Sequence, residues 1–218
     1  MKHLPLYLIF FFGMACSTTN KEAKFNAFAL AQELDSMYIL DQYYRAQIDT
    51  LVKLYGWNSP EMNNMWEMQL PIDTSNYLRV QEIIDDLGAY PGKSIVGDTT
   101  CNAAFYILQH SPDSIQALYI DLILKGAIDN ELDRDAAAMY HDRYLMRKGE
   151  NQIYGSQIKI DQVTYSLTGE KRDSIYLWPI ADTTNIDSLR IANGMIRLEE
   201  YLNHFGLSRD STYLISDH

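Results

Sequence analysis

The sequence is that of a globular protein with an acidic charge balance. Its 218 residues are 47% hydrophobic and 22% charged, which are ordinary proportions that exclude a disordered or fibrous chain. The 29 Asp and Glu residues outnumber the 18 Lys and Arg residues, so the net charge is −11 at pH 7, which argues against a general nucleic-acid-binding protein.

The N-terminus has the order of segments found in an export signal. Lys2 precedes an apolar run at residues 4–12, and small residues then lead to Cys16. The run is shorter than the roughly 20 apolar residues that span a bilayer. Residues 1–15 therefore resemble the cleaved signal of a bacterial lipoprotein, although Gly13 stands where that signal usually has Leu. An ordinary cleaved signal, or an uncleaved anchor with an incidental cysteine, is the alternative.

The lipoprotein resemblance implies a membrane anchor and a location in the cell envelope. Cys16 would become the acylated first residue, and two acyl chains are enough for stable anchoring. Removal of residues 1–15 removes Lys2 alone among charged groups, which changes the net charge from −11 to −12. We expect a polar tether at residues 16–23 and a single helix-rich domain at residues 24–210. The expected location is the periplasmic or outer-membrane side of the cell envelope.

Helical periodicity dominates the first half of the domain. Apolar residues that recur every three or four positions predict one long helix over residues 24–55. A loop is predicted at residues 56–71. The next helix is predicted at residues 74–87, with Gly88 as its end, and a structured loop covers residues 88–97.

The second half combines helices with a small β-element. Helices are predicted at residues 99–110, 113–125 and 130–148, and two short ones at residues 184–193 and 196–205. Alternating β-rich residues predict strands at residues 152–160 and 162–168, with a third short strand at residues 174–180. The fold class is therefore mainly α (α+β), a single domain of about five main helices with a small antiparallel β-hairpin or three-stranded element near residues 152–180.

Asp41 interrupts the apolar face of the first predicted helix. It falls between Met37 and Tyr44, where the series requires an apolar residue. A carboxylate there is costly unless a cation or several donors meet it, and Arg45 lies one helical turn away. Three interpretations are open. Asp41 and Arg45 neutralise each other locally, or the apolar face opens to solvent at this point, or Asp41 forms the floor of a binding site.

A histidine lies at a predicted helix end. Gln109 and His110 precede the Ser111-Pro112 corner, and Gln116 follows in the next helix. A histidine in such a corner suits a proton carrier, because both ring nitrogens are accessible. The alternative is a capping or packing residue.

Asp142 and Arg143 lie on the last long helix. Arg143 projects along a largely apolar line, so we expect a carboxylate partner, with Asp41 or a bound anion as candidates. The neighbouring His141 is a weak metal-ligand candidate, because no recognisable ligand spacing accompanies it. The sequence predicts no metal site.

The segment 152–157 is rich in amides. In a strand Gln152 and Tyr154 share one face, and Gly155 is expected to mark a bulge that re-aims Gln157. Amides and a phenol recognise polar ligands but transfer protons poorly, so this segment favours binding or substrate orientation.

The sequence predicts no cofactor. The segment Pro91-Gly92-Lys93-Ser94 looks like the end of a phosphate-binding loop, but the earlier glycine that the motif requires is replaced by Leu87.

Several of these motifs together resemble an uncharacterised bacterial family known only as a domain of unknown function. The matching segments are Asp41-Gln42-x-x-Arg45, Gly92-Lys93-Ser94-x-x-Gly97, Gln109-His110 with Gln116, Asp142-Arg143, Gly149-x-x-Gln152-x-Tyr154-Gly155-Ser156-Gln157, and Asp182…Arg190…Gly194…Leu198-Glu199-Glu200-Tyr201. The resemblance covers about residues 35–205. It supplies no reaction, but it implies that these distant segments lie close together in space. The chain departs from the family pattern at Gly88-Ala89-Tyr90-Pro91 and at His141.

Two functions are consistent with the sequence. The first is a lipid-anchored binding or structural protein that presents a polar pocket to an unidentified small molecule, polymer or protein. The second is an envelope-facing hydrolase in which His110 is the general acid–base, Asp142 or Asp41 orients it, and Arg143 with Gln157 holds an anionic or amide group.

Overall fold

The computed structural model describes residues 26–164 and 171–208 of the chain. The signal, Cys16 and the polar tether lie outside the described residues. Within the described ranges the protein is mainly helical and carries a small two-stranded antiparallel sheet, which confirms the predicted fold class.

The helices lie close to most of the predicted positions. They are α1 (Ala27–Tyr43), α2 (Ile48–Tyr55), α3 (Pro60–Leu87), α4 (Lys93–Val96), α5 (Ala103–Gln109), α6 (Asp113–Ile128), α7 (Arg134–Arg147), α8 (Ile186–Ala192) and α9 (Leu198–Asn203). The predicted starts and ends are most accurate where a capping signal marks them, as at Asp113 after Pro112 and at Gly88 after α3.

The predicted single helix over residues 24–55 was wrong, because the chain breaks after Tyr43. A short 3₁₀ turn, Arg45–Gln47, separates α1 from α2. The Arg45 guanidinium donates to the main-chain carbonyl of Asp41. That carbonyl is the acceptor that the amide of Arg45 would use in a continuous α-helix. The Arg45 side chain therefore binds a carbonyl at the point where the helix breaks.

The predicted loop at residues 56–71 was also wrong. Helix α3 is 28 residues long and includes most of that segment, with Pro71 inside it. Its start is capped by Ser59, whose hydroxyl accepts from the amide of Met62, and Pro60 occupies the first turn. Buried residues recur on both sides of the proline: Met65, Gln69, Asn76 and Val80. Packing of this face maintains the helix despite the hydrogen bond that Pro71 cannot form.

Helix α5 is the centre of the main core. Most of its side chains are buried, and it contacts α1, α3, α6 and α7. Phe105 and Leu108 of α5 pack with Leu34 of α1 and Ile83 of α3, all almost completely buried. This packing brings the C-terminal ends of α1 and α5 together, where Asp41 and His110 lie.

The sheet has a different register from the predicted hairpin. Strand β1 (Ile158–Thr164) pairs with β2 (Lys171–Leu177), and Ile158 faces Leu177. Asp161, predicted near a turn, lies inside β1 opposite Ser174. Residues 152–157, predicted as a strand, form a loop that adds one isolated bridge between Gln152 and Ile180.

A second, smaller core lies beneath the sheet. Leu177 packs with the apolar faces of α8 and α9, which include Ile186, Leu198 and Leu202. Within residues 26–164 and 171–208, no helix has both the length and the apolar composition needed to cross a bilayer.

Candidate functional site

Asp41 and His110 form a carboxylate–imidazole pair. Asp41, at the end of α1, is completely buried, and both of its carboxylate oxygens lie 3.0 Å from Nδ1 of His110. A proton on Nδ1 satisfies the carboxylate, so the neutral ring carries its lone pair on Nε2. Within the described residues Nε2 forms no hydrogen bond, and 18% of the His110 side chain is exposed. The pair thus has the geometry of an oriented general base.

Arg45 connects this pair to a second carboxylate. Its Nη1 lies 3.1 Å from Oδ1 of Asp41, as the four-residue spacing predicted. The same guanidinium binds both oxygens of Asp73, at 2.9 and 2.6 Å. Gln69 donates to Asp73 at 2.7 Å, and Gln42 donates to Asp41 at 2.6 Å. Asp41 is therefore bound by the side chains of Gln42, Arg45 and His110.

Asp73 and Gln69 are site residues that the sequence analysis missed. Gln69 lay in the predicted loop, and Asp73 lay between that loop and the next predicted helix. Their spacing of four residues would have indicated a shared helix face if α3 had been extended across Pro71.

The surroundings of His110 favour its neutral form. Burial lowers its pKa below the ordinary value, and the nearby Arg45 and Arg143 cations lower it further, while Asp41 opposes both effects. The ring is therefore able to accept a proton near neutral pH.

Arg143 has no charged partner among the described residues. Its Nε donates to Oε1 of Gln157 at 2.9 Å. Burial and, to a lesser degree, the Arg147 and Arg45 cations lower the pKa of Arg143 to about 10, while Tyr201 acts in the opposite direction. The expected contact with Asp41 is not formed, because Asp41 is bound to Arg45 and His110. A guanidinium in this state is a natural site for an anion.

The side-chain amides of Gln109 and Gln157 meet at one main-chain carbonyl of α7. Both donate to the carbonyl of Met139, at 3.5 and 3.3 Å, so the two amides are neighbours. Gln157 also donates to the hydroxyl of Ser156 at 3.0 Å. These contacts fix the amide that orients the Arg143 guanidinium.

Gln116 supports the turn that carries His110. Its amide donates to the carbonyls of Gln109 and Ser111, the residues on either side of the histidine, at 3.1 and 2.8 Å. Gln116 is completely buried. It acts on the site by positioning the His110 turn.

Asp142 binds the main chain of the loop at residues 152–157. Its carboxylate accepts from the amides of Ile153, Tyr154 and Ser156, at distances from 2.7 to 3.2 Å, and from the Ser156 hydroxyl at 2.8 Å. Asp142 is completely buried and does not contact His110. Of the two carboxylates that the sequence offered as the partner of His110, Asp41 is the one in contact and Asp142 is not.

The side chains of Gln152 and Arg190 also bind the main chain of this loop. The Gln152 amide donates to the carbonyls of Gln157 and Trp178 and accepts from the Gln157 main chain at 2.8 Å. Arg190 is 1% exposed and donates to the carbonyls of Tyr154 and Gly155. The phenol of Tyr154 is partly buried and lies near His141, with ring centroids 6.4 Å apart. Most of the amide-rich segment is thus occupied with its own main chain.

The predicted site residues therefore form two sets. One set surrounds His110 and Arg143 and includes Asp41, Arg45, Gln109, Gln116 and Gln157. The other surrounds Asp142 and includes Gln152 and the main chain of Tyr154. Gln157 belongs to both. Among the described residues, no three His, Cys, Asp or Glu side chains are placed to hold a metal ion.

Comparison with known proteins gives one match. The model of a family of unknown function, DUF6624, matches residues 28–211. No curated protein and no solved structure matches the chain. The family match agrees with the resemblance to an uncharacterised domain that the motifs indicated.

Proposed function

Since the chain belongs to the DUF6624 family, whose function is unknown, we propose from its own site that it is a lipid-anchored cell-envelope protein that binds an anionic ligand at Arg143 and Gln157. The ligand is a small molecule or the acidic group of a polymer or protein. The anchor is the acylated Cys16.

The state of Arg143 carries this proposal. Its Nε is held by Gln157, while the two terminal nitrogens have no protein acceptor in the described ranges and retain contact with solvent. A half-buried guanidinium without a counter-ion is costly, and an anion with two oxygens would satisfy both terminal nitrogens. The neighbouring Arg45 cation adds to the attraction.

Anion titration of the purified full-length protein tests the proposal. Acetate, sulfate, phosphate and N-acetylated amino acids are titrated by calorimetry into the natural protein and into Arg143→Gln. We expect at least one anion to bind, and to bind tenfold or more weakly to the variant, because charge-assisted hydrogen bonds contribute about 1.5–3 kcal/mol.

Arg147→Gln is the matched control. Arg147 lies on the same helix but is exposed and forms an ion pair with Asp113. It should leave anion affinity within about twofold. The proposal fails if the natural protein binds none of the anions, or if Arg143→Gln binds them as tightly as the natural protein.

The anchor is tested separately. Cys16→Ser should move the protein from the membrane fraction to the soluble fraction and abolish labelling with a clickable fatty acid. Retention in the membrane fraction without label would favour an uncleaved apolar anchor at the N-terminus.

A specific observation also favours a second function, hydrolysis of an envelope substrate. Asp41 holds Nδ1 of His110, and Nε2 has no partner in the described part of the chain. In this role His110 activates water, and Arg143 holds the anionic or amide group of the substrate. The orienting carboxylate is Asp41 in this arrangement.

Substitution of His110 separates the two functions. With nitrophenyl esters and phosphates as probes, an enzyme should lose about 100-fold in kcat in His110→Gln while its fold is retained. A binding protein should show no turnover above the solvent rate and keep most of its anion affinity. His141→Gln, on α7, is the matched control, since its ring contacts Tyr154 and lies outside the Asp41 network.

A further inference from the structure

A separate cavity lies along the outer face of α3. It has a volume of about 420 Å³ and is lined by Asn63, Trp66, Glu67, Leu70 and Asp73. These residues occupy positions i, i+3, i+4, i+7 and i+10 of α3, so they form a single helix face. The volume is in the range of small-molecule sites.

The charge around this cavity is negative. Glu67 forms no ion pair within the described ranges, and Asp73 shares the Arg45 guanidinium with Asp41. Burial lowers the pKa of His110, so the imidazole adds no full positive charge at neutral pH. Of the two carboxylates that line the cavity, Asp73 is balanced by the Arg45 guanidinium and Glu67 is not. The net charge of −11 for the whole chain adds a favourable field for cations.

Trp66 provides an aromatic wall. Its indole is partly buried, and Cζ of Arg45 lies 5.9 Å from the ring centroid, which helps to fix the ring. Tryptophan is the best aromatic partner for a cation, because its ring face is the most electron-rich. Leu70, which is 65% exposed, supplies an apolar contact beside it.

Gln69 holds one of the two carboxylates that line the cavity. It is completely buried directly behind Asp73, to which its amide nitrogen donates. Its Oε1 receives no hydrogen bond from any of the described residues. Gln69 does not itself line the cavity, so it acts there through the Asp73 carboxylate that it binds.

We infer that this cavity binds an organic ammonium group. Trp66 and Leu70 contact the carbon atoms that surround the nitrogen, and Glu67 balances its charge. A neutral ligand of the same shape would gain the apolar contacts but not the charge interactions. The site is distinct from the anion site at Arg143 and does not depend on it.

Choline and its uncharged isostere 3,3-dimethylbutan-1-ol provide a direct test. Each is titrated into the full-length protein and followed by NMR of the Trp66 indole, assigned with Trp66→Phe. We expect choline to bind in the range of ~1–10 mM, typical of one cation–π contact with one ion pair. The isostere should bind at least tenfold more weakly.

Two variants locate the binding. Glu67→Gln should weaken choline binding fivefold or more, and its exposed position leaves folding unaffected. Glu61→Gln, in the first turn of the same helix but outside the cavity, is the matched control and should change nothing. Arg143→Gln should also leave choline binding unchanged, which separates this inference from the anion proposal.

Three results would overturn the inference. The first is equal affinity for choline and its isostere. The second is binding that Glu67→Gln and Glu61→Gln affect alike. The third is that choline does not bind. If N-acetylglucosamine binds in its place, the cavity is a sugar site.

Discussion

Asp41, near the end of α1, and Asp142, within α7, are both completely buried carboxylates, yet they are bound by different kinds of hydrogen-bond donor. Asp41 is met by side chains, those of Gln42, Arg45 and His110. Asp142 is met mainly by main-chain amides of a single loop. The first arrangement can rearrange, because its donors rotate and one of them titrates. The second is rigid, because its donors are fixed by the backbone.

This difference assigns different roles to the two carboxylates. A carboxylate that contacts a partly exposed imidazole can influence proton transfer, whereas one that binds only a loop stabilises the fold. Both motifs belong to the resemblance that the sequence indicated. Resemblance alone therefore does not separate a functional residue from a structural one. The groups that each carboxylate binds do separate them.

Isosteric substitution should separate the two carboxylates most strongly. Asp142→Asn should lower the free energy of unfolding by about 3 kcal/mol, because the new amide group faces main-chain donors that cannot turn away. Asp41→Asn should lower it by only about 1 kcal/mol, since Gln42 can rotate and the His110 tautomer can change. Urea unfolding followed by circular dichroism measures both values.

The comparison needs a control for general effects of charge removal. Asp113→Asn removes an exposed carboxylate that pairs with Arg147 and should change stability by less than about 0.5 kcal/mol. Equal losses in Asp41→Asn and Asp142→Asn would show that both carboxylates are structural.

The loop around Asp142 should be sensitive to a single methyl group. Gly155 has φ = +71°, and an added Cβ would lie 2.8 Å from Cδ1 of Ile180. Gly155→Ala should therefore destabilise the protein by about 2 kcal/mol, through left-handed strain and displacement of Ile180. Thermal unfolding measures the loss.

Gly149→Ala separates these two causes. Gly149 has a similar φ of +73°, but an added Cβ there would meet nothing within 4 Å. It should lose only about 1 kcal/mol from backbone strain. If the two variants are equally stable, Ile180 moves freely and the loop is less tightly packed than its contacts indicate.

The sequence predicted local features better than long-range ones. Helical spacing identified Asp41 as an anomaly and Arg45 as its partner, because both lie on one turn of α1 and its continuation. It could not decide between Asp41 and Asp142 as the partner of His110, since 69 residues separate Asp41 from His110 and only the packing of α5 on α1 brings them together. Arg143 was predicted to need a counter-ion, and within the described residues it has none.

Proline and loop geometry explain the remaining differences. Pro71 suggested a loop, so Asp73 and Gln69 were not assigned to the site, although buried residues on both sides continue the helix. The alternation in residues 152–157 suggested a strand. The main-chain amides of that segment instead turn toward Asp142, an arrangement that depends on backbone dihedral angles and not on side-chain period.

The smallest predicted effect is a pH dependence that only one of the two carboxylates should alter. Burial lowers the pKa of His110 in the folded protein below its value in the unfolded chain. As the pH falls through about 6.5, the unfolded chain takes up a proton that the folded protein resists, so the free energy of unfolding decreases. Above that pH the full stability is present. His110→Gln should flatten the decrease between pH 7.5 and 5.5.

A background variant makes this measurement specific to His110. Burial also lowers the pKa of His141, and Asp142 raises it, so the series is made in His141→Gln. There Asp41→Asn should steepen the decrease, because Asp41 favours the protonated ring while Arg45 and Arg143 oppose it. Asp142→Asn should leave the slope unchanged while it lowers stability at every pH. Equal slopes in the two variants would mean that the Asp41 carboxylate does not control the proton on His110, and the second proposed function would lose its orienting residue.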